Sequence, residues 1–184
     1  MRPYDHATDF IAVRDFLVAT FGHFRRSYNW TIERWNFSVS MARMMNGVSL
    51  EDWADQIAIW EEGGELLGIV NWEGERKGEA FFQLAHEALP DAVLQEMFDV
   101  CEARMGEVQD GRRVIYLRIP PDDARREAMA QARGFVRQSW DSPEGVMPLE
   151  EEFPVALLDD FAFVDGHDVS AEEKATAHAK AFGY

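Results

Sequence analysis

A chain of 184 residues with 47% hydrophobic side chains is long enough for one folded domain and part of another. Its 18 Lys and Arg are outnumbered by 34 Asp and Glu, and a net charge of −16 disfavours binding to nucleic acid or to an anionic membrane. The single cysteine, Cys101, excludes an internal disulfide and a cysteine-based zinc site. With no apolar signal core and no bilayer-spanning apolar run, we expect a cytoplasmic protein.

The N-terminal third of the chain predicts a short strand and two helices. Residues 2–4 can form the strand, and apolar residues recur at helical spacing over 10–21. Residues 29–47 fit either a helix or an alternating strand. We favour the helix, because Asn29 or Thr31 can cap its start and Gly47 can end it.

The rest of the chain predicts a hairpin followed by alternating strands and helices. Two apolar runs flank Glu62-Gly63-Gly64-Glu65, and adjacent glycines suit a tight turn with positive φ. The later elements are a strand at 79–85, a helix at 91–105, a strand at 112–119, a helix at 124–133 and a strand at 135–140. An early hairpin and a later strand–helix–strand crossover predict an α+β fold, a mixed and partly antiparallel sheet with helices on both faces.

Two stretches carry a resemblance to a known family. The hairpin IWEEGGELLGIVNW (59–72), with Gly68 after its apolar run, and the stretch DDARREAMAQARGF (122–135) resemble the GNAT-type N-acetyltransferase superfamily. The resemblance covers residues 1–149 and implies the acyl-CoA N-acyltransferase fold. Residues 57–105 are most similar to the N-terminal copy of bacterial proteins built from two GNAT domains in tandem.

The C-terminal part of the chain supports a tandem arrangement. Residues 6–22 overlay residues 167–183 without a gap, at an offset of 161 (167 − 6), which is about one domain length. We therefore expect a GNAT-like domain at 1–149, an acidic linker at 150–160, and the first strand and helix of an incomplete second copy at 161–184.

The loop before the third helix of this family holds the pyrophosphate of acyl-CoA, on backbone N–H groups that glycines leave accessible. The matching loop here contains no glycine. Its residues are His86, Glu87, Ala88, Leu89, Pro90 and Asp91. Glu87 and Asp91 would repel an anion, although the same carboxylates suit a helix N-terminus. Acetyl-CoA is the cofactor that the family implies, and we expect this copy not to bind it.

The usual proton donor of the family is also missing. Many members carry a tyrosine five residues before the Phe of the Gly-Phe pair, and that position here is Ala130. The common asparagine at the start of the same helix corresponds to Asp123, which we interpret as a helix cap. No catalytic residue is therefore assigned to this copy. His86 and Glu87 could act as a base, or form a solvated loop pair.

Segment 22–48 holds four arginines and one acid among several aromatic residues, in an otherwise acidic chain. The corresponding region of the family frames the acceptor site, so the acceptor-site candidates are Arg25, Trp30, Arg34 and Trp35. Arginines that cover an aromatic core edge or pair with carboxylates would give the same pattern. No metal-ligand spacing joins His6, His23 and His86, and we expect no metal site.

The resemblance implies the N-terminal half of a tandem acyltransferase, which transfers an acyl group from acyl-CoA to an amine in its other copy. The alternative is a non-catalytic, GNAT-like binding or interaction module. The expected partner is a second GNAT copy or another molecule of this chain. Phe161, Phe163 and Phe182 of the incomplete copy would need such a partner to cover them.

Overall fold

The computed structural model describes residues 1–21, 29–139, 162 and 164–182. The chain forms two compact units, Met1–Arg137 and Gln138–Tyr184. The tandem division stays a prediction, because the described ranges do not include the predicted linker at 150–160. They also do not include Phe161 and Phe163, which were predicted to need a covering partner. None of the described helices is long and apolar enough to cross a bilayer.

The first unit alternates helices and strands. In chain order its elements are β1 (Arg2–Pro3), α1 (His6–Phe21), α2 (Ile32–Asn46), α3 (Leu50–Ala54), β2 (Ala58–Glu62), β3 (Glu65–Asn71), β4 (Glu79–Leu84), α4 (Asp91–Arg104), β5 (Glu107–Gln109), β6 (Arg112–Val114), β7 (Tyr116–Leu117) and α5 (Ala124–Ala132). The second unit contains α6 (Ala171–Phe182).

The main sheet has five strands in the order β1-β2-β3-β4-β7. The first three pairings are antiparallel, and β4 pairs with β7 in parallel. Strands β5 and β6 form a separate two-stranded hairpin. The predicted α+β class with a mixed sheet is therefore confirmed.

Local sequence signals account for the early elements. Gly63 (φ 61°) and Gly64 (φ 88°) form the predicted turn between β2 and β3, in a conformation that other residues adopt at a cost. Thr31 caps α2 by accepting a hydrogen bond from the Arg34 N–H, and Gly47 ends the helix at φ 64°. The helical interpretation of this segment is confirmed.

Helices cover both faces of the sheet, as predicted. Successive residues of a strand point to opposite faces, and all six residues of β4 are buried. The ring of Phe82 packs against Phe98 of α4, with centroids 5.0 Å apart. The ring of Phe81, on the other face, packs against Trp30, which precedes α2, at 4.9 Å.

Two regions differ from the sequence prediction. The predicted strand 112–119 is interrupted, because Asp110 (φ 50°) and Gly111 (φ 74°) turn the chain into the β5–β6 hairpin before β7 begins. The predicted strand 135–140 is wrong over residues 135–139. The Phe135 N–H instead donates to the Ala130 carbonyl at the end of α5, and Val136 is 77% exposed.

Candidate functional site

The junction between β4 and α4 is the place where the resembled family binds its cofactor. Beyond Leu84, the last residue of β4, one further hydrogen bond extends the pairing with β3. The Ala85 N–H donates to the Leu67 carbonyl at 2.9 Å. His86, Glu87 and Ala88 are exposed and Leu89 is buried. Pro90 precedes α4 and offers no side-chain cap to the helix.

Arg125, in the first turn of α5, forms hydrogen bonds with the loop of this junction. Its Nη1 donates to the Glu87 carbonyl at 3.1 Å, and its Nη2 donates to the Leu89 carbonyl at 2.5 Å. Its Nε donates to Asp91 Oδ1 at 2.8 Å, and Nη2 contacts the same oxygen. One guanidinium therefore joins two loop carbonyls and the first carboxylate of α4.

The junction consequently offers the wrong groups to a phosphate. A phosphate needs converging N–H donors, whereas two carbonyl oxygens of this loop converge on Arg125. Asp91 lies in the first turn of α4, where a carboxylate complements the helix dipole, and it also compensates the charge of Arg125. Arg125 was not predicted from the sequence, because the contact joins residues 34 positions apart and no local pattern signals it.

The strands beside the junction also separate. Strand β4 pairs with β7 only at Glu79↔Tyr116 and Ala80↔Leu117. Further along β4, the Leu84 N–H donates to Asn29 Oδ1 at 2.8 Å and the Leu84 carbonyl accepts from Asn29 Nδ2 at 2.7 Å. The side-chain amide of Asn29 is thus hydrogen-bonded to both the N–H and the carbonyl of Leu84. Asn29 was a candidate helix cap, and Thr31 caps α2 instead.

A second arginine of α5, Arg126, is buried near β4. Arg126 is almost completely buried, and its Nε donates to Asp123 Oδ2 at 2.5 Å. Its guanidinium carbon lies 6.0 Å from the centroid of the Phe82 ring. Asp123 also accepts from the Arg126 N–H at 2.9 Å, which confirms the predicted cap of α5. Ala130, at the position of the family's tyrosine, is buried on the same helix.

Two of the acceptor-site candidates lie together. The guanidinium of Arg34 lies 4.6 Å from the ring centroid of Trp30 and 4.8 Å from that of Phe81. Two hydrogen bonds of 2.6 and 2.7 Å join Arg34 to the carboxylate of Glu73. Arg34 therefore covers an aromatic core edge and is already paired with an acid. Arg25 lies outside the described residues.

Trp35 lies elsewhere, in the core. It is fully buried, and its ring centroid is 5.4 Å from that of Trp53 and 5.8 Å from that of Tyr4. Phe10 of α1 stacks on it at 6.1 Å. A side chain without exposed surface does not line an open site, so Trp35 is a core residue rather than part of a binding surface.

Two buried side-chain amides, which were not predicted from the sequence, position Trp30. The Trp30 N–H donates to Gln83 Oε1 at 2.7 Å, and Gln83 Nε2 donates to Asn71 Oδ1 at 2.9 Å. Both amides are fully buried. The available signal was a polar residue inside each of two apolar strands, which is informative because buried polar groups need partners.

The remaining titratable groups of interest are structural. Burial raises the pKa of the Cys101 thiol well above its ordinary value, which keeps the thiol protonated and unreactive. Burial, followed by the charges of Asp9 and Asp5, raises the pKa of the Tyr4 hydroxyl. Among the residues that the structure describes, no three His, Cys, Asp or Glu side chains are grouped as metal ligands.

Comparisons with protein-family models, with curated proteins and with solved structures find no match for this chain. The GNAT resemblance therefore depends on the sequence stretches that carry it and stays a prediction.

Proposed function

We propose that this chain is a GNAT-like half of a tandem acyltransferase and that this copy does not itself bind or use acyl-CoA. In the complete enzyme an acyl group would pass from acyl-CoA to an amine at the other copy. The order of elements supports the assignment: an antiparallel β2–β3–β4 meander is followed by α4 and a strand parallel to β4. The GNAT fold remains part of the proposal.

The observation that carries the proposal is the attachment of Arg125 to the β4–α4 junction. An incoming pyrophosphate would have to displace Arg125 from the carbonyls of Glu87 and Leu89 and from the carboxylate of Asp91. It would then meet an unpaired Asp91 beside a loop without glycine. Like charges at ~4 Å repel by about 4 kcal/mol at a surface-like dielectric constant, before salt screening.

Two further features support the loss of cofactor binding. The separated part of β4 is bonded to Asn29, so the backbone groups of Leu84 are not available to a molecule between the strands. Ala130 cannot donate a proton to a leaving thiolate. Both features would need to change, together with the junction, before this copy could carry out acyl transfer.

The role we propose for this copy is to pack against its catalytic counterpart and to frame part of the acceptor site. Trp30 and Arg34 are the candidates for that site, because the guanidinium of Arg34, which is 43% exposed, covers the buried ring of Trp30, and the buried amides of Gln83 and Asn71 fix Trp30. The tandem arrangement draws on the sequence overlay of 6–22 with 167–183. In agreement with the overlay, both segments contain a helix, α1 and α6.

Calorimetry with acetyl-CoA at low salt tests the proposal. We expect no measurable heat of binding, because the junction lacks donors and the chain carries a charge of −16. A dissociation constant in the micromolar range, with the phosphates located at residues 86–92, would contradict it.

A loop replacement tests the physical reason. Replacing residues 86–91 with a glycine-rich loop, together with Arg125→Ala, should expose the N-terminus of α4 and permit weak binding of acetyl-CoA. The matched control carries the same loop with Arg137→Ala, since Arg137 is an exposed arginine that pairs with Glu127 of α5. Equal binding by the two variants would show that Arg125 does not close the junction.

The second candidate is a non-catalytic, GNAT-like interaction module. Apolar side chains exposed on α1 and α2, among them Ile11, Val18 and Met44, favour it. The two candidates are distinguished by the gene: a coding sequence that continues past Tyr184 into a copy with a glycine loop supports the enzyme. A stop codon at that point supports the module.

A further inference from the structure

Helix α1 has an exposed face that resembles the seam of a helix pair. Five of its residues follow the spacing 4-3-4-3, which places them in one line along the helix. The residues of this α1 stripe are Ala7, Ile11, Arg14, Val18 and Phe21. Ile11, Val18 and Phe21 are 55%, 61% and 54% exposed. The opposite face of α1 holds the buried residues that contact the core.

An ordinary surface helix presents polar side chains to water. Helix α1 is apolar on its buried face and along the α1 stripe as well. A stripe in which apolar residues repeat with heptad spacing is suited to packing against another helix, because each residue can enter the space between residues of the partner helix.

Arg14, the charged residue within the stripe, has no partner among the residues that the structure describes. The Nε of Arg14 is buried and has no hydrogen-bond acceptor, and Arg14 forms no ion pair within the described part of the chain. Asp15, next to it on the helix, is exposed and equally forms no ion pair with a described residue. Most other arginines described here contact a carboxylate, a carbonyl group or an aromatic ring, so an unpaired arginine in so acidic a protein is unusual.

The charge around the stripe suits a second copy of the chain. At the stripe itself, the charge of Arg14 is balanced by the adjacent exposed Asp15, whereas Asp9, the other acid of α1, is buried on the opposite face and paired with Arg2. The whole chain carries −16. Two copies that meet through the α1 stripe avoid the repulsion that contact through the acidic remainder would produce.

We infer that the α1 stripe is a self-association surface, covered by the α1 stripe of a second copy. The contact is isologous, so each stripe supplies the same residues to the other. Two stripes that lie side by side and run in the same direction bring Arg14 of each copy to the partner's Asp15, and Ile11 and Val18 close the seam between them. This inference does not depend on the proposed acyltransferase role.

The oligomeric state in solution tests the inference. Sedimentation equilibrium of the full chain should show a reversible dimer. Val18→Glu should weaken the dimer by more than about tenfold in dissociation constant, since a charge enters the seam. The matched control is Val136→Glu, at a valine that is 77% exposed and outside the stripe, and it should leave the dimer unchanged. A wild-type monomer at all concentrations, or a dimer that persists in Val18→Glu, would overturn the inference.

A charge exchange tests the pairing within the dimer. Arg14→Asp alone should weaken the dimer, and Arg14→Asp combined with Asp15→Arg should restore it, because each copy would again offer opposite charges to the other. Circular dichroism establishes that both variants are folded. A folded double variant that stays as weak as the single variant would rule out the contact between Arg14 and the partner's Asp15.

Discussion

The two sides of the sheet in the first unit are held in different ways. On the side of α1 and α2, aromatic rings pack against one another: Trp35, Trp53 and Tyr4 form a buried cluster. On the side of α4 and α5, arginines bond to carbonyls and carboxylates, as Arg125 does at the junction. Aromatic packing is the main feature of the first side, and hydrogen bonds from arginine recur on the second.

The difference shows when arginine and aromatic residues in a sequence indicate a functional site. The segment richest in both, 22–48, suggested a binding surface, yet its described tryptophans are buried and Arg34 is paired with Glu73. The junction attracted attention for the glycines it lacks, and its decisive residue comes from a different helix. An arginine becomes informative only when its partners are known.

Removing an aromatic ring from the packed side should have the largest effect. Trp35→Ala is expected to lower the free energy of unfolding by ~3–5 kcal/mol, because it leaves a cavity at a fully buried position. Urea denaturation measures the loss. Phe37→Ala, on the same helix but 47% exposed, is the control and should change stability by less than ~1 kcal/mol. A small loss for Trp35→Ala would mean that this side is not held by packing.

The buried carboxylate of Asp9 on the packed side is paired with Arg2, and this contact should respond to pH. Two hydrogen bonds from Arg2, of 2.7 and 2.9 Å, hold the pKa of Asp9 below its usual value. Asp9 therefore stabilises the fold above its unfolded pKa of about 3.9, and this contribution is lost as the pH falls through the folded pKa. Asp9→Asn should cost about 1–3 kcal/mol at neutral pH. Denaturation curves of both proteins should converge in acid, and a constant difference at every pH would refute the assignment.

Removing a hydrogen-bonding arginine from the side of α4 and α5 should have a smaller, local effect on stability. Arg125 is partly exposed, so Arg125→Ala should reduce global stability by no more than ~1 kcal/mol. It should nevertheless speed hydrogen exchange at Val93 and Leu94, whose N–H groups donate to the Pro90 carbonyl in the first turn of α4. Arg137→Ala serves as the control. Unchanged exchange at both amides would show that the junction is rigid without Arg125.

The smallest effect is expected at the exposed arginine of the aromatic side. A double-mutant cycle of Arg34→Ala and Glu73→Ala should give a coupling energy below ~1 kcal/mol, because Arg34 is 43% exposed. Arg34→Lys should lose the contact with the Trp30 ring and part of the coupling. A coupling well above this value would place Arg34 among the structural residues and weaken its candidacy for the acceptor site.

Local signals predicted much of the fold, and long-range contacts account for what was missed. The predictions that depend on neighbouring residues are confirmed: the glycine turn at Gly63-Gly64, the caps of α2, and the helix predicted at 91–105, which the structure gives as Asp91–Arg104. Helix α3 was missed because five residues are too few for a periodic pattern.

The candidate site shows the same limit. The absence of glycine and the acids of the junction were visible in the sequence, but the bond from Arg125 was not. The same holds for Asn29, whose contact with Leu84 spans 55 positions and replaced the expected role as a cap. A single sequence offers no covarying positions from which such pairs could be inferred.

Because Cys101 is buried, the reactivity of its thiol can report how often α4 separates from the sheet. A thiol reagent can reach this sulfur only when α4 separates from the sheet, and the chain contains no other thiol to react. The rate of labelling therefore measures how often the centre of the molecule opens, without any added probe. Compared with the faster exchange expected at the first turn of α4, it separates fraying of the helix end from detachment of the whole helix.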